Sequence, residues 1–151
     1  MQVFLGPIDE TSPSSWDTEW NSVGRVSVLG RSPETQCAKC QADTAEGLMV
    51  SGTVPLTSAL LQDIVAGEMP SSLDPDVVIP HLRDNLKWKV TMFFTGEEWP
   101  VEQVPELRVS VASTVVRIGS EDGLPVYSGE YTVHPEATDG KPAGLRAGEH
   151  I

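Results

Sequence analysis

The feature that most constrains the fold is the stretch of residues 86–94, in which apolar and polar side chains alternate. Successive side chains of a strand point to opposite faces, so a period of two predicts a β-strand with one buried face. The positions that share the apolar face are Leu86, Trp88, Val90, Met92 and Phe94. We expect this face to pack against a second alternating run, in which the apolar positions are Leu107, Val109 and Val111.

The remaining patterns predict a sheet interrupted by helices. Further strands are expected at residues 2–5, 23–29, 48–54, 107–118 and 125–134. A helical insert is expected at about residues 57–84, because Thr57 suits a helix N-cap, Gly67 a C-terminal cap and Pro75 the first turn of a second helix, which Pro80 would break or restart. Residues 31–47 have no apolar period and are predicted to be a loop. Residues 8–22, rich in Ser, Pro, Asp and Trp, are also predicted to be a loop, although the i, i+4 spacing of Trp16 and Trp20 would suit one helical turn.

These elements favour a mainly β fold: an antiparallel β-sandwich or barrel-like domain with a short helical insert. The chain has 151 residues, which is enough for one ordinary domain. We expect a single domain over residues 1–145 and a tail over residues 146–151, where the composition turns to Gly and charge.

The charge balance excludes several partners. Twenty-two acidic residues against ten basic ones give a formal net charge of -12. Nucleic acids and anionic membranes attract basic surfaces, so neither is expected as a partner.

We find no apolar run long enough to span a bilayer and no signal peptide, and two cysteines are too few for a secreted disulfide framework. A cytoplasmic location is therefore expected.

The only cysteines form the motif Cys37-Ala38-Lys39-Cys40, for which several interpretations stay open. A thioredoxin-type redox pair is disfavoured because no βαβ pattern surrounds it. A structural zinc site needs four ligands and would require a second chain. A disulfide across so short a loop stabilises by only about 2 kcal/mol. Two thiolates suit Cu(I), and two surface thiols without a role are also possible.

Five ordered segments and one short strand resemble the C-terminal part of fungal tyrosinases, or polyphenol oxidases. The strand is residues 3–6 (VFLG), similar to the one that closes the oxidase domain of these enzymes. The segments that follow in the same order are residues 37–40 (CAKC), 52–57 (GTVPLT), 77–82, 85–90 (NLKWKV) and 140–144 (GKPAG). The resemblance therefore runs along almost the whole chain.

The resemblance implies a non-catalytic accessory domain of a copper oxidase. Full-length fungal tyrosinases, which oxidise monophenols and o-diphenols, bind two coppers through histidines of a helical domain. Their C-terminal domain covers the active-site entrance until it is cleaved or displaced. In some members a Cys-x-x-Cys pair helps to load copper, which assigns transient Cu(I) binding to Cys37 and Cys40 here. The implied partner is a tyrosinase-like oxidase domain, in cis before cleavage or in trans.

The histidines show why this chain alone is not expected to be catalytic. A dicopper centre of the family's kind uses six histidines, whereas the chain has only His81, His134 and His150. None of them belongs to a helical His-x-x-x-His pair, and we expect each to be a partly exposed or surface side chain rather than a ligand.

Four residues are candidate contacts with the oxidase. Some family members place a bulky side chain over the copper pocket shortly before the Cys-x-x-Cys pair, where this chain has the non-aromatic Val28 and Leu29. Trp20 and Trp99 lie in predicted loops, where tryptophans either cover the rim of the core or anchor an interface. A second hypothesis remains: a stand-alone β-sandwich interaction module whose cysteines are incidental.

Overall fold

In the computed structural model, residues 1–28, 38–47, 49–104, 106–119 and 123–149 are described, with the backbone only at residues 40, 41, 43 and 44. The centre of the fold is a four-stranded antiparallel sheet. Strand β1 (Gln2–Leu5) lies between β2 (Ser22–Arg25) and β3 (Leu86–Thr91), and β4 (Glu98–Trp99) pairs with the far edge of β3. The predicted strand at residues 86–94 therefore exists but ends at Thr91.

Both faces of β1 are buried, because different elements cover them. Phe4 is fully buried, and its ring meets that of Trp16 edge to face at 6.1 Å. Trp16 belongs to a short 3-10 helix (Pro13–Thr18), and its indole N–H donates to the Asp9 carbonyl at 2.7 Å. On the opposite face, alternation turns Val3 and Leu5 toward the main apolar cluster.

That cluster joins the sheet to the helical insert. Its other buried members include side chains of β3, of the helices and of the later segments: Leu60, Met69, Val78, Leu82, Leu86, Trp88, Val101, Val111 and Ala137. Leu107, Val109 and Val90 are partly buried against it, so the predicted packing of the two alternating faces is confirmed as far as Val90. It is wrong for Met92 and Phe94, which are 41% and 96% exposed. Burying a large aliphatic or aromatic side chain contributes about 1.5–3 kcal/mol, so this cluster is the main source of stability.

Three α-helices occur in the described residues: α1 (Ala38–Ala45), α2 (Thr57–Ala66) and α3 (Pro75–Asn85). The predicted insert is confirmed by α2 and α3. Gly67 ends α2 in the left-handed conformation, with φ of 80°, and Pro75 occupies the first turn of α3. Pro80 does not break α3, contrary to the prediction, and Val78 and Leu82 bury the inner face of that helix. No helix in these ranges is long and apolar enough to cross a membrane.

Residues 112–119 and 123–133 form a two-stranded antiparallel arm, a name used below for these two ranges. Strand β5 (Ala112–Ser113) pairs with β8 (Thr132–Val133), and β6 (Val116–Arg117) pairs with β7 (Val126–Tyr127). The predicted strand at 107–118 is thus divided, because Val109 instead bridges in parallel to Gly144 beside the core.

The antiparallel strand arrangement is confirmed, although β structure does not dominate the chain. Helices contain 28% of the residues and strands 20%. The loop prediction for 31–47 is wrong at residues 38–45, which are helical. Within 8–22, residues Pro13–Thr18 form a 3-10 helix, close to the helical turn that the tryptophan spacing allowed, and Trp16 is buried in it. Residues 49–54 are not a strand. They pack against β2 through side chains rather than through a hydrogen-bonded ladder.

Candidate functional site

The residues on either side of the cysteine segment pack against each other. Gly24 faces Val54, and Gly52 faces Val26. Each valine occupies the space that a side chain would need at the facing glycine. A Cβ at Gly24 would lie 2.9 Å from a Val54 methyl carbon, closer than ordinary contact. Val26 is also held by Met1, because the Val26 N–H donates to the Met1 carbonyl at 2.8 Å. The two ends of the cysteine segment are therefore held side by side.

The cysteines themselves are only partly located. Cys37 and the side chain of Cys40 lie outside the described residues, as does Leu29, so the copper-site prediction stays a prediction. The backbone of Cys40 belongs to the first turn of α1. Although a helix follows Cys37 immediately, the strand before it in the described residues, β2, is antiparallel to its neighbour, unlike the parallel strand of a thioredoxin-type site. Two soft thiols match the donor preference of Cu(I). The described part of the chain has no group of three or more metal-ligating side chains.

The turn between β3 and β4 is closed by backbone hydrogen bonds and carries exposed aromatic side chains. We call residues 92–97 the aromatic turn: the Met92 N–H donates to the Glu97 carbonyl, and the Gly96 N–H donates to the Met92 carbonyl, both at 2.9 Å. Phe93 is 74% and Phe94 96% exposed, and their rings meet edge to face at 5.4 Å. Phe94 was predicted to lie on the buried face, which is wrong because the strand has already ended. The glycine at position 96 was the sequence signal for a turn there, and in the structure it adopts a positive φ of 69°.

The other predicted contact residues in the described ranges are exposed, and Trp99 lies in β4 rather than in the predicted loop. Trp20 is 79%, Val28 57% and Trp99 40% exposed. Trp99 pairs with Val90 across β3 and β4, which places it on the same hairpin as the aromatic turn. Large apolar groups gathered in one exposed region commonly mark a binding surface.

Each described histidine serves the fold. His81 Nε2 lies 2.8 Å from an Asp63 carboxylate oxygen, which ties α3 to α2. His134 is buried, contrary to its predicted surface position, and its Nε2 lies 2.7 Å from the Ser113 hydroxyl at the base of the arm. The two histidines therefore have separate partners on separate elements. His150 lies outside the described residues.

A cleft of about 400 Å³ lies beside β3, and its lining includes both lysines and carboxylates. Lys141 lines this cleft, and its ammonium group donates to the carbonyls of Leu82 at 2.9 Å and Leu86 at 2.7 Å and lies 5.7 Å from the Trp88 ring centre. The Trp88 indole N–H donates to the Pro142 carbonyl at 2.9 Å. Burial lowers the pKa of Lys141, although Asp84 opposes the shift.

Lys89, at the other side of that cleft, has the opposite shift. Burial would lower its pKa, but the hydrogen bond and charge of Glu98, at 3.0 Å, with Glu10 at 3.6 Å, raise it overall. Both lysines are occupied in internal interactions. We find no nucleophile, base and acid in catalytic arrangement among the described residues.

Comparison with known proteins identifies the group to which these features belong. The tyrosinase C-terminal domain family matches residues 1–111. A tyrosinase from Neurospora crassa is 64% identical over 149 residues, which are 99% of this chain and 21% of that protein. A tyrosinase from Podospora anserina is 72% identical over 67 residues, 42% of this chain and 12% of that protein. No solved structure matches. The chain thus spans only a small part of the relatives it matches, and it belongs to the tyrosinase C-terminal domain family.

Proposed function

We propose that the chain is a non-catalytic accessory domain of a tyrosinase-like copper oxidase, which docks on the oxidase, shields its entrance and assists its loading with copper. The observation that carries this proposal is the alignment itself. Nearly the whole chain corresponds to one fifth of a tyrosinase, so four fifths of that relative lie outside the matched segment. A domain found as a minor part of such an enzyme has the rest of the enzyme as its natural partner, in cis or in trans.

Docking is supported by the aromatic turn. Phe93 and Phe94 project from a hydrogen-bonded turn that is already ordered, so binding would cost little conformational entropy. Aromatic residues are enriched among the side chains that dominate binding energy. Complete burial of a phenylalanine contributes up to about 3 kcal/mol, so this turn alone would supply a large share of a docking interface.

Copper loading is supported by the chemistry and the placement of the cysteine pair. Two thiolates select Cu(I) without forming a complete cage, which suits a site that must pass its metal to histidines. The paired contacts of Gly24 with Val54 and Gly52 with Val26 anchor both ends of the segment that carries Cys37 and Cys40. Such a base would present the thiols at a constant place relative to the docked oxidase.

The copper role is tested by anaerobic Cu(I) titration of the reduced chain against a chromogenic chelator. We expect one copper per chain, and loss of binding in Cys37→Ser/Cys40→Ser. Ala42→Ser, which adds a hydroxyl to the same helix at an exposed position, is the matched control and should bind copper like the wild type. Oxidase produced with the double variant should be copper-poor. Full copper content in that oxidase would refute the loading role.

Docking is tested separately in the same preparations. With Phe93→Ser/Phe94→Ser, the oxidase should be active without cleavage, because the covering domain is held at least tenfold more weakly. Val65→Ser changes a side chain that is 88% exposed on α2 and should leave the oxidase latent. If the aromatic double variant stays as latent as the control, shielding through this turn is wrong. Docking without copper binding would favour the second candidate, an interaction module with incidental cysteines.

A further inference from the structure

The arm has no core of its own. Val111 and His134 at its base are each 8% exposed, but none of the described side chains between them is buried. A two-stranded hairpin is at best marginally stable in water unless a further strand or a packed surface supports it. Something is therefore expected to cover the arm in the functional state of the protein.

Apolar side chains occupy both faces of the arm. Val116 pairs with Tyr127, and the next pair, Arg117 with Val126, points to the opposite face. Tyr127 is 64% and Val126 61% exposed, so neither face is covered by the rest of the chain. A hairpin that lies on a surface usually has one apolar and one polar face, whereas strands buried on both sides are apolar on both. In the arm, one face of each ladder is apolar, and the other combines Val126 with the polar Ser113, Thr132 and Arg117. Both faces therefore offer apolar contacts, which fits insertion into a groove.

The most exposed apolar groups lie toward the tip. Ile118 is 88% and Leu124 86% exposed, one on each strand just beyond the last ladder pair. Exposed apolar edges of this kind attract other chains, and soluble proteins generally protect them with charge or cover them. Arg117 and Glu130 are the only charged residues in the described part of the arm, and Glu121 and Asp122, between Ile118 and Leu124 in the sequence, lie outside it.

The base of the arm is firmly held. The His134 N–H donates to the Val111 carbonyl at 2.8 Å, and the His134 ring bonds Ser113. Val109, just before the base, donates to the Ala143 carbonyl and accepts from the Leu145 N–H, both at 2.8 Å. The arm is therefore presented at a set position, which lowers the entropy cost of inserting it into a partner.

Two facts indicate which partner covers the arm. The chain carries a net charge of -12, so two copies repel each other, which argues against a second copy as the occupant. The match to the family ends at residue 111, directly before the arm, while the similarity to the Neurospora tyrosinase includes nearly the whole chain and leaves four fifths of that protein outside. The arm is thus shared with the Neurospora tyrosinase, in a context where a large partner is part of the same enzyme.

We propose that the arm is a second docking element, distinct from the aromatic turn, that inserts into an apolar groove of the oxidase part of the tyrosinase. This inference rests on the docking role proposed above. It predicts a partner groove with one apolar wall and an opposing wall that combines apolar contacts with an acceptor for Arg117, because both faces of the arm must be covered.

Hydrogen–deuterium exchange compares the isolated chain with the full-length enzyme, or with the co-expressed complex if the oxidase is a separate polypeptide. Amides of residues 112–133 should exchange at least tenfold more slowly when the oxidase is present. Ile118→Ser/Leu124→Ser should restore fast exchange in the arm, whereas Val65→Ser, at an equally exposed position on α2, should not. Circular dichroism of the isolated variants establishes that all of them fold.

The outcomes separate this inference from the docking role itself. Slower exchange in both the aromatic turn and the arm supports both. Protection of residues 92–97 without protection of the arm overturns the arm proposal and leaves docking intact. Protection of neither overturns both. If the arm of the isolated chain becomes protected as its concentration rises, the occupant is a second copy and the proposed oxidase groove is wrong.

Discussion

Replacement of Lys141 by methionine should reveal how the C-terminal segment is fastened to the fold. The Lys141 ammonium group donates to the Leu82 and Leu86 carbonyls at the end of α3, although these residues are more than fifty positions away in sequence. The Leu82 carbonyl already accepts the Leu86 N–H, and carbonyls at the end of a helix carry partial negative charge, so the Lys141 cation adds a second, charged donor at this helix end. Lys141→Met keeps the length and apolar stem of the side chain while it removes both hydrogen bonds.

The expected cost follows from these contacts. A hydrogen bond to a charged group contributes about 1.5–3 kcal/mol, and the position over Trp88 adds about 0.5–1 kcal/mol. The lowered pKa of Lys141 shows that burial of its charge opposes part of this gain, and Met avoids that penalty. We therefore expect the free energy of unfolding to fall by about 3 kcal/mol, which is large for a single substitution.

Urea unfolding followed by tryptophan fluorescence measures this loss. Lys87→Met is the matched control, because Lys87 is exposed at the same cleft, and its removal should cost less than about 0.5 kcal/mol. An equal shift of the urea midpoint in both variants would refute the proposed fastening. A second readout is pH. Because the folded pKa of Lys141 is lowered, the wild type should gain stability relative to Lys141→Met as pH rises from the folded pKa to the ordinary value of 10.5.

Two other predictions concern the lysine beside β4 and the end of the core. The pKa of Lys89 is raised despite its burial, so its stabilising contribution should be complete below pH 10.5 and be lost as pH rises through the folded pKa. The Lys89→Met variant should lack this alkaline decline in the free energy of unfolding. An identical pH profile in the variant and the wild type would contradict the assignment. Gly144→Ala would place a Cβ against the Thr138 carbonyl, so we expect it to lower the free energy of unfolding by about 2 kcal/mol or more, as measured by thermal melting. Gly129→Ala is the control, because its Cβ would meet open space. It should lower the free energy of unfolding by only about 1 kcal/mol, which is the strain of a side chain at positive φ.

Much of the local structure was predictable, because local patterns carry it. The alternation from Leu86 to Trp88 predicts the buried face of β3, and the apolar stripe before Gly67 predicts α2 and its end. The exposure of the aromatic turn could not be predicted fully, because the alternation of apolar and polar residues continues to Phe94, after the hydrogen-bonded strand has ended. The arm was visible as two apolar runs around a turn-rich break, but its lack of cover was not.

The sequence by itself determined the family, the strand and helix segments of the core, and the absence of enough histidines for a dicopper centre. Only the tertiary structure decided which similar residues are inside. Trp16 and Trp20 lie four positions apart in the same segment, yet one is fully buried against Phe4 and the other is 79% exposed. The physical reason is that burial depends on which distant surface a side chain meets. Local pattern specifies the period of an element, whereas long-range packing of β1, α3 and the C-terminal segment specifies which positions lose their contact with water.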